Sequence, residues 1–397
     1  MSKGTVFYIG GFELPDKNAA ALRVMANGKI LRDLGYRVVF IGIDKALPGG
    51  ADATHTVNSG FECWSVPYPT GTLSWIKYLC GLPAILKILK SYGGASPVAA
   101  ICYNYPAVAS LRIEKLCTRL GIKMLSDATE WYDATGGSLP HRLIKALDTA
   151  VRMYIVHPRM HGIITTSRYL TDFYARQGKL TVELPTLFDG ARFSAPHVGR
   201  GEGNLKFIYV GSPFDVDKVN RSRTNLKERL DTCVEIFHSL HAKGKAFRFD
   251  VVGITQSDYL KVFPEHRMLL DEMRDVACFH GRVPNDQVVG LIGESDFSIF
   301  FRDRTRVTLA GFPSKLAESI SIGTPVVVNR MLSLESFAGS PGIVLADPGC
   351  EMEVVESLFA LSATQIDSLK QDAFKARTFH YENYYSDVDV FMRKLGV

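Results

Sequence analysis

The residues of this chain best placed to do chemistry lie in one run, Ala310-Gly311-Phe312-Pro313-Ser314-Lys315-Leu316-Ala317-Glu318, continued through Gly323-Thr324-Pro325 to Val328. The run reads as a loop, a helix, a tight turn and a strand. Gly311 lets a ligand approach the backbone, and Pro313 suits the first turn of a helix, where its missing N–H costs nothing. The amides of Ser314 and Lys315 then point outward at the positive end of the helix dipole, a ready site for a phosphate. Lys315 adds a full positive charge. Glu318 lies one turn below Ser314 on the same face, where a carboxylate can accept two hydrogen bonds from a ribose diol. Taken alone, these residues also fit an ordinary capped helix end in solvent.

Other polar groups are less suggestive. His157 and His161 stand four apart in VHPRMHG with no third ligand nearby, so packing or capping is expected rather than a metal. Asp215–Asp217 and Asp387–Asp389 are DxD strings expected to lie on the surface. No P-loop, GxGxxG, HExxH or GxSxG occurs, so kinase, dehydrogenase, zinc-protease and hydrolase chemistries lack their residues.

The elements that must hold the 310–328 run alternate between short β-rich stretches and amphipathic helices, the pattern of parallel sheets covered by helices. Strands are expected at 5–9, 37–43, 98–102, 123–126 and 162–166, with helices at 19–34, 73–90, 107–120, 137–155 and 168–176. Residues 186–204 are rich in Gly and Pro and read as a linker. The pattern then restarts with strands at 205–210, 247–252, 276–279, 296–300 and 325–328 and helices at 226–242, 351–372 and 380–395. Two doubly wound α/β domains follow, 1–185 and 205–378. Ligands in such sheets bind beyond the carboxyl ends of the strands, so two such ends facing a central cleft make an active site.

The 397 residues are ample for two domains, and 46% hydrophobic with 22% charged residues is ordinary for a globular chain. Seven scattered cysteines without a CxxC pair indicate neither a disulfide framework nor a zinc site, and fit a reducing cytoplasm. No signal peptide or transmembrane run is expected. The net charge of +5 divides unevenly: residues 1–200 hold 23 Lys and Arg against 14 Asp and Glu, and residues 201–397 hold 23 against 27. A basic first half suggests an anionic partner. Apolar helices bearing Lys77, Lys87, Lys90 and Lys145 could lie on a membrane surface or face the core. No basic, aromatic-laced face for nucleic acid appears.

PSKLAESISIGTPVV closely resembles the nucleotide-sugar motif of GT-B-fold glycosyltransferases, specifically the group 1 (family 4) retaining enzymes. The resemblance extends to YIGG with its following helix, GIITTSRYLTDFY, FIYVGSP with KERLDTCVEIFHSL, and FHGRVPNDQVVGLIGESDFSIF, in the family's order. It implies a Rossmann-like acceptor domain, a nucleotide-sugar domain, and a C-terminal helix (379–397) returning to the first domain. It places Glu318 on the donor ribose, Gly311, Ser314, Lys315 and Leu316 at the helix start near the diphosphate, and Lys227 on a phosphate after the Gly211-Ser212 turn. Gly10 and Gly11 would face the donor phosphate, and Gly281 and Arg282 would lie along the base. Asp127 and Glu130 occupy the loop that meets donor sugar or acceptor, either as helpers or as a polar cap. Two positions depart from the family. Ala310 stands where a sugar-holding glutamate is common. Ser212-Pro213 stands where an arginine often follows the Val-Gly turn, a charge that Arg221, Arg223, Arg302 or Arg306 could supply.

The implied reaction moves a sugar, with retention, from a nucleotide diphosphate donor such as a UDP-sugar to a carbohydrate or lipid-linked acceptor, without a metal or other cofactor. Lys227, Lys315 and helix amides would meet the charge developing on the leaving diphosphate. The implied setting is polysaccharide or glycolipid assembly, in the cytoplasm or peripheral on the inner membrane face. A sugar-nucleotide epimerase and a non-catalytic binding or assembly protein of the same fold are the alternatives.

Overall fold

The structure, a computed structural model, describes residues 2–81, 83–131, 139–196, 199, 203–214, 226 and 228–397. The chain divides into two compact units, one of Met1–Asp189, Ala310–Phe312 and His380–Val397, the other of Gly190–Leu309 and Pro313–Phe379.

The first unit is built on an eight-stranded sheet. Its strands are β1 (Thr5–Gly10), β2 (Arg37–Asp44), β3 (Thr54–Asn58), β4 (Phe61–Pro67), β5 (Pro97–Tyr103), β6 (Lys123–Ala128), β7 (Gly162–Thr165) and β8 (Thr181–Glu183), in the order 3-4-2-1-5-6-7-8. All neighbours are parallel except β3 and β4. TVFYIG of β1 is buried throughout, as a central strand covered on both faces must be. Val6, Tyr8, Phe40 and Ile101 pack on one face, and Phe7, Ile9, Val39 and Cys102 on the other.

The last helix, Tyr385–Leu395, completes the first of these cores with Val388, Phe391, Met392 and Leu395. It sits so close to β7 that a Cβ on Gly162 would lie 2.7 Å from Phe391 Cζ.

The second unit holds a six-stranded, all-parallel sheet. Its strands are β9 (Leu205–Val210), β10 (Phe247–Val252), β11 (Ala277–Gly281), β12 (Phe297–Ile299), β13 (Val326–Asn329) and β14 (Ile343–Ala346), in the order 11-10-9-12-13-14. Phe237, on the helix Leu230–Ala242, stacks on Phe249 at 4.2 Å and lies 5.0 Å from Phe207, which fixes the helix over β9 and β10.

The differences from the sequence reading have local causes. The expected helix at 73–90 is two, Thr72–Leu79 and Pro83–Ser91, because Gly81 takes a left-handed φ of 91° and Pro83 opens the second. The β3–β4 hairpin was not expected. It turns on Ser59 and Gly60, both at positive φ (52° and 80°), as a two-residue hairpin requires. The helix expected from 226 begins at Leu230, since Arg229 lies outside the helical region (φ −87°, ψ 74°) and its N–H donates to Phe301 O at 2.8 Å.

Candidate functional site

In the second unit, β9, β10 and β11 end side by side at three glycines of positive φ: Gly211 (121°), Gly253 (112°) and Gly281 (66°). Gly211 N–H donates to Val252 O at 2.6 Å, and Gly253 N–H to Gly281 O at 2.7 Å. A Cβ on Gly253 would lie 2.6 Å from the Gly211 carbonyl carbon, so no side chain fits between these turns. Gly253→Ala is expected to cost about 2–3 kcal/mol, from strain at positive φ and backbone overlap. Denaturant unfolding of the purified variant checks this; a loss under about 0.5 kcal/mol would contradict the packing described.

The helix Ser314–Ile322 starts at this carboxyl end, with Pro313 extended before it and Ser314 exposed. Its first amides have no preceding turn to bond. Lys315 reaches back over the Gly211 turn, where any Cβ would overlap its ammonium end. The ammonium is held by an ion pair with Glu228 and lies 5.4 Å above the centre of the buried Tyr209 ring. Glu318 is half-buried one turn along. Burial pushes its carboxyl above the usual range, opposed by the charges of Arg192 and Lys315. Leu316, by contrast, is wholly in the core, and its N–H is taken by Pro313 O at 3.1 Å. Its side chain therefore cannot contact a ligand, which corrects the expectation for it.

Nearby, Arg302 N–H donates to Asn329 Oδ1 at 2.9 Å and Asn329 Nδ2 donates to Arg302 O at 2.8 Å. This exchange ties the end of β13 to the loop after β12. Arg306 and Arg282 are exposed. Ser212 follows Gly211 and donates through Oγ to Phe214 O at 2.5 Å. Lys227, Arg221, Arg223 and Asp215–Asp217 lie outside the described residues.

In the first unit, β1 ends at Gly10, where a Cβ would lie 2.9 Å from Tyr103 Cβ, and Gly11 sits under the Tyr78 hydroxyl. The expectation for Asp127 is corrected here. It is fully buried and accepts from Arg23 Nη2 at 2.8 Å, Arg23 Nε at 3.1 Å and the Tyr8 hydroxyl at 2.5 Å. Arg23 also donates to the carbonyls of Leu184 and Pro185 at 2.8 and 2.9 Å. Asp127 thus closes an internal ion pair and presents nothing to a substrate. Glu130, beyond β6, is half-buried.

Ala310 is also fully buried, in an apolar cluster with Ala128, Trp131, Met153, Ile163 and Leu170. Its carbonyl accepts the Ser167 hydroxyl at 2.7 Å. A carboxylate at 310 would be desolvated there, which accounts for alanine at this position. Gly311 counts with this unit rather than with the helix that follows it.

The histidines have structural work. His157 Nδ1 lies 2.5 Å from the Tyr174 hydroxyl, and burial with the nearby Arg152 charge pushes its pKa down to about 3, so the ring is neutral. His161 Nδ1 accepts from Met124 N–H at 3.2 Å. Asp389 pairs with Arg393 at 2.7 Å and Lys3 at 3.5 Å. Among the described residues, Asp250, Cys278 and His280 bring ligand atoms within 4.8 Å of one another. Arg248 and His280 already occupy Asp250, at 3.0 and 2.7 Å, and a cation would sit against the Arg248 guanidinium.

Sequence inspection missed Glu228, Tyr209 and Arg192. Glu228 stands directly beside Lys227 and was legible only as part of a helix start.

Two parallel-sheet α/β units, the second with a glycine-lined carboxyl end and a helix start bearing Lys315 and Glu318, define a protein of the GT-B fold. No family model matches the chain. It is similar to a Salmonella typhimurium protein named as the colanic acid biosynthesis glycosyltransferase WcaL, at 21% identity over 322 residues, covering 74% of this chain and 75% of that one. Among solved structures it resembles sucrose-phosphate synthase from Thermosynechococcus elongatus, with a TM-score of 0.65, 14% identity and 99% of both chains covered. It also resembles Anabaena HepE in complex with UDP, with a TM-score of 0.61, 11% identity, and 98% of this chain and 100% of that one covered.

Proposed function

We propose that the protein is a retaining glycosyltransferase that moves a sugar from a UDP-sugar to a carbohydrate or lipid-linked acceptor, in the assembly of a polysaccharide or glycolipid. The observation that carries this reading is the helix start at Ser314, with Lys315 locked over Gly211 and Glu318 one turn along. The glycosyltransferase name of the sequence relative and the UDP held by HepE support it.

The chemistry follows from charge. As the glycosidic bond to the diphosphate breaks, negative charge grows on the leaving phosphate. The Lys315 ammonium and the helix amides meet it without reorganising. The leaving phosphate oxygen can accept the proton of an acceptor hydroxyl bound on the same face, which gives retention without a separate base. Lys315 and the helix dipole supply the positive charge that a metal would otherwise bring, so the reading includes no metal. Glu318 accepts hydrogen bonds from the ribose hydroxyls, for which it must be ionised.

The test is thermal stabilisation by a panel of nucleoside diphosphates and nucleotide sugars, read against pH. UDP is expected to raise the melting temperature more than other bases. The Glu318 carboxyl is raised by burial, so UDP affinity rises with pH through that elevated value and fades at a higher pH than for an exposed glutamate. In the unliganded protein the sign is opposite: the stability this group contributes is present at low pH and lost as pH rises through its folded pKa. Glu318→Gln should weaken UDP roughly 10- to 150-fold and flatten the pH profile. No stabilisation by any nucleotide would overturn the donor-site reading. The anomeric configuration of the product, read by NMR, separates retention from inversion.

A further inference from the structure

One helix of the first unit is inside out. On Leu139–Val151 and its π-helical continuation Arg152–Val156, the side turned inward holds Thr149 and Arg152, both buried, beside Met153 and Val156. Asp148 is also turned to a neighbour, accepting the first N–H of the helix Ala107–Arg119 at 2.8 Å. The opposite side, in solvent, is apolar: Leu143 and Leu147 are 65% and 66% exposed, with Ile144, Tyr154 and Ile155 each more than half exposed along the same stripe. At about 1.5 Å per residue the stripe runs roughly 20 Å.

It is not isolated. The helix Ala107–Arg119, with exposed Val108, packs against this helix and against Thr72–Leu79, whose Leu73 is 68% exposed and whose Trp75 and Ile76 are also in solvent. Arg112 of the middle helix donates to Cys80 O at 2.8 Å, which holds the two together. Scattered exposed apolar residues are normal, but large exposed apolar side chains on each of three helices packed side by side are not.

The charge around these side chains selects their partner. Residues 71–91, 107–119 and 139–160 together contain ten Lys and Arg and two Asp and Glu. Lys77, Lys87, Lys115, Arg119 and Arg142 are exposed. A second copy would bring like charge against like, whereas an anionic bilayer offers acyl chains to the stripe and phosphates to the cations. Trp75 and Tyr154 suit the boundary between the two. No single helix among the described residues is long and apolar enough to cross a membrane. The pair Thr72–Leu79 and Pro83–Ser91 is committed to the fold, because Ile85, Ile88 and Leu89 lie in the core.

We infer that this three-helix face of the first unit docks on an anionic lipid surface, with the Leu143–Ile155 stripe lying in the interface. The inference extends the proposed reading of a lipid-linked acceptor but rests on the first unit alone, so it stands or falls separately from the donor site.

The experiment is flotation of the full chain with phosphatidylcholine vesicles, with and without about 30% phosphatidylglycerol. Binding is expected only with the anionic lipid and should weaken as salt is raised. Leu143→Ser/Ile144→Ser/Leu147→Ser changes exposed side chains only, so its melting temperature and its UDP response should match wild type while vesicle binding falls about tenfold or more. Wild type that stays with the protein fraction on anionic vesicles overturns the inference, as does triple-variant binding equal to wild type. A dimer in solution that the triple variant dissolves would also overturn it, in favour of a second copy. The UDP response, measured on the same samples, reports the donor site independently.

Discussion

Lys315→Ala is expected to lower the transfer rate about 10²- to 10³-fold, the loss typical when one preorganised charge is removed from a leaving anion. The variant would also lose stability, because Glu228 is buried and loses the Lys315 ammonium that pairs with it. The two effects separate in the double variant Lys315→Met/Glu228→Gln. It removes both charges, and its stability should return toward wild type while its rate stays low. Steady-state kinetics with the stabilising donor, beside thermal melts of both variants, reads the two quantities. A double variant that recovers its rate along with its stability would show that Lys315 acts only through folding. Lys315→Arg should not rescue, since the wider guanidinium must fit where the ammonium lies against Gly211 and over Tyr209.

Asp127→Asn is expected to destabilise the first unit by about 3–5 kcal/mol, the usual cost of stranding a buried charge. The charge stranded is Arg23, 4% exposed, which binds Asp127 on one side and the carbonyls of Leu184 and Pro185 on another. Denaturant unfolding should show the loss, while the UDP-induced rise in melting temperature should persist at temperatures where the variant is folded. A variant of wild-type stability that had lost transfer would instead return Asp127 to the substrate. The asparagine keeps the shape of the site, so lost packing cannot account for the result.

These two residues mark what the sequence made legible. The start of the helix at Ser314 is encoded within a dozen residues: Gly311 and Pro313 before it, Gly323 at φ 92° ending it. Local signals of that kind also set β9 and β10, whose observed bounds match the expected 205–210 and 247–252. Asp127 read as a loop carboxylate facing donor sugar or acceptor, or as a polar cap, because its partners are remote: Arg23 is 104 residues away and Tyr8 119. Likewise Glu228 and Lys315 are separated by 87 residues, and no local pattern joins them. Short, exposed β3 and three-residue β8 carried too little apolar alternation to stand out. The Gly81 break was written in the sequence, but the continuous apolar run on both sides of it masked the signal.

The seat of the last helix against Gly162 has a consequence for how the chain is made. Phe391 and Leu395 supply part of the wall of the core that also contains Val6 and Tyr8. A ribosome therefore delivers the first strand long before the last of the residues that complete its cover. Roughly 200 residues of the second unit emerge in between, about 10–40 s of synthesis at ordinary rates. During that interval the core of the first unit lacks the part of its wall that Val388, Phe391, Met392 and Leu395 supply, although the helix Ala19–Asp33 already packs on the same face. The unit that is translated first is therefore the one whose core is completed last, and part of its apolar surface waits for the final turns of the chain.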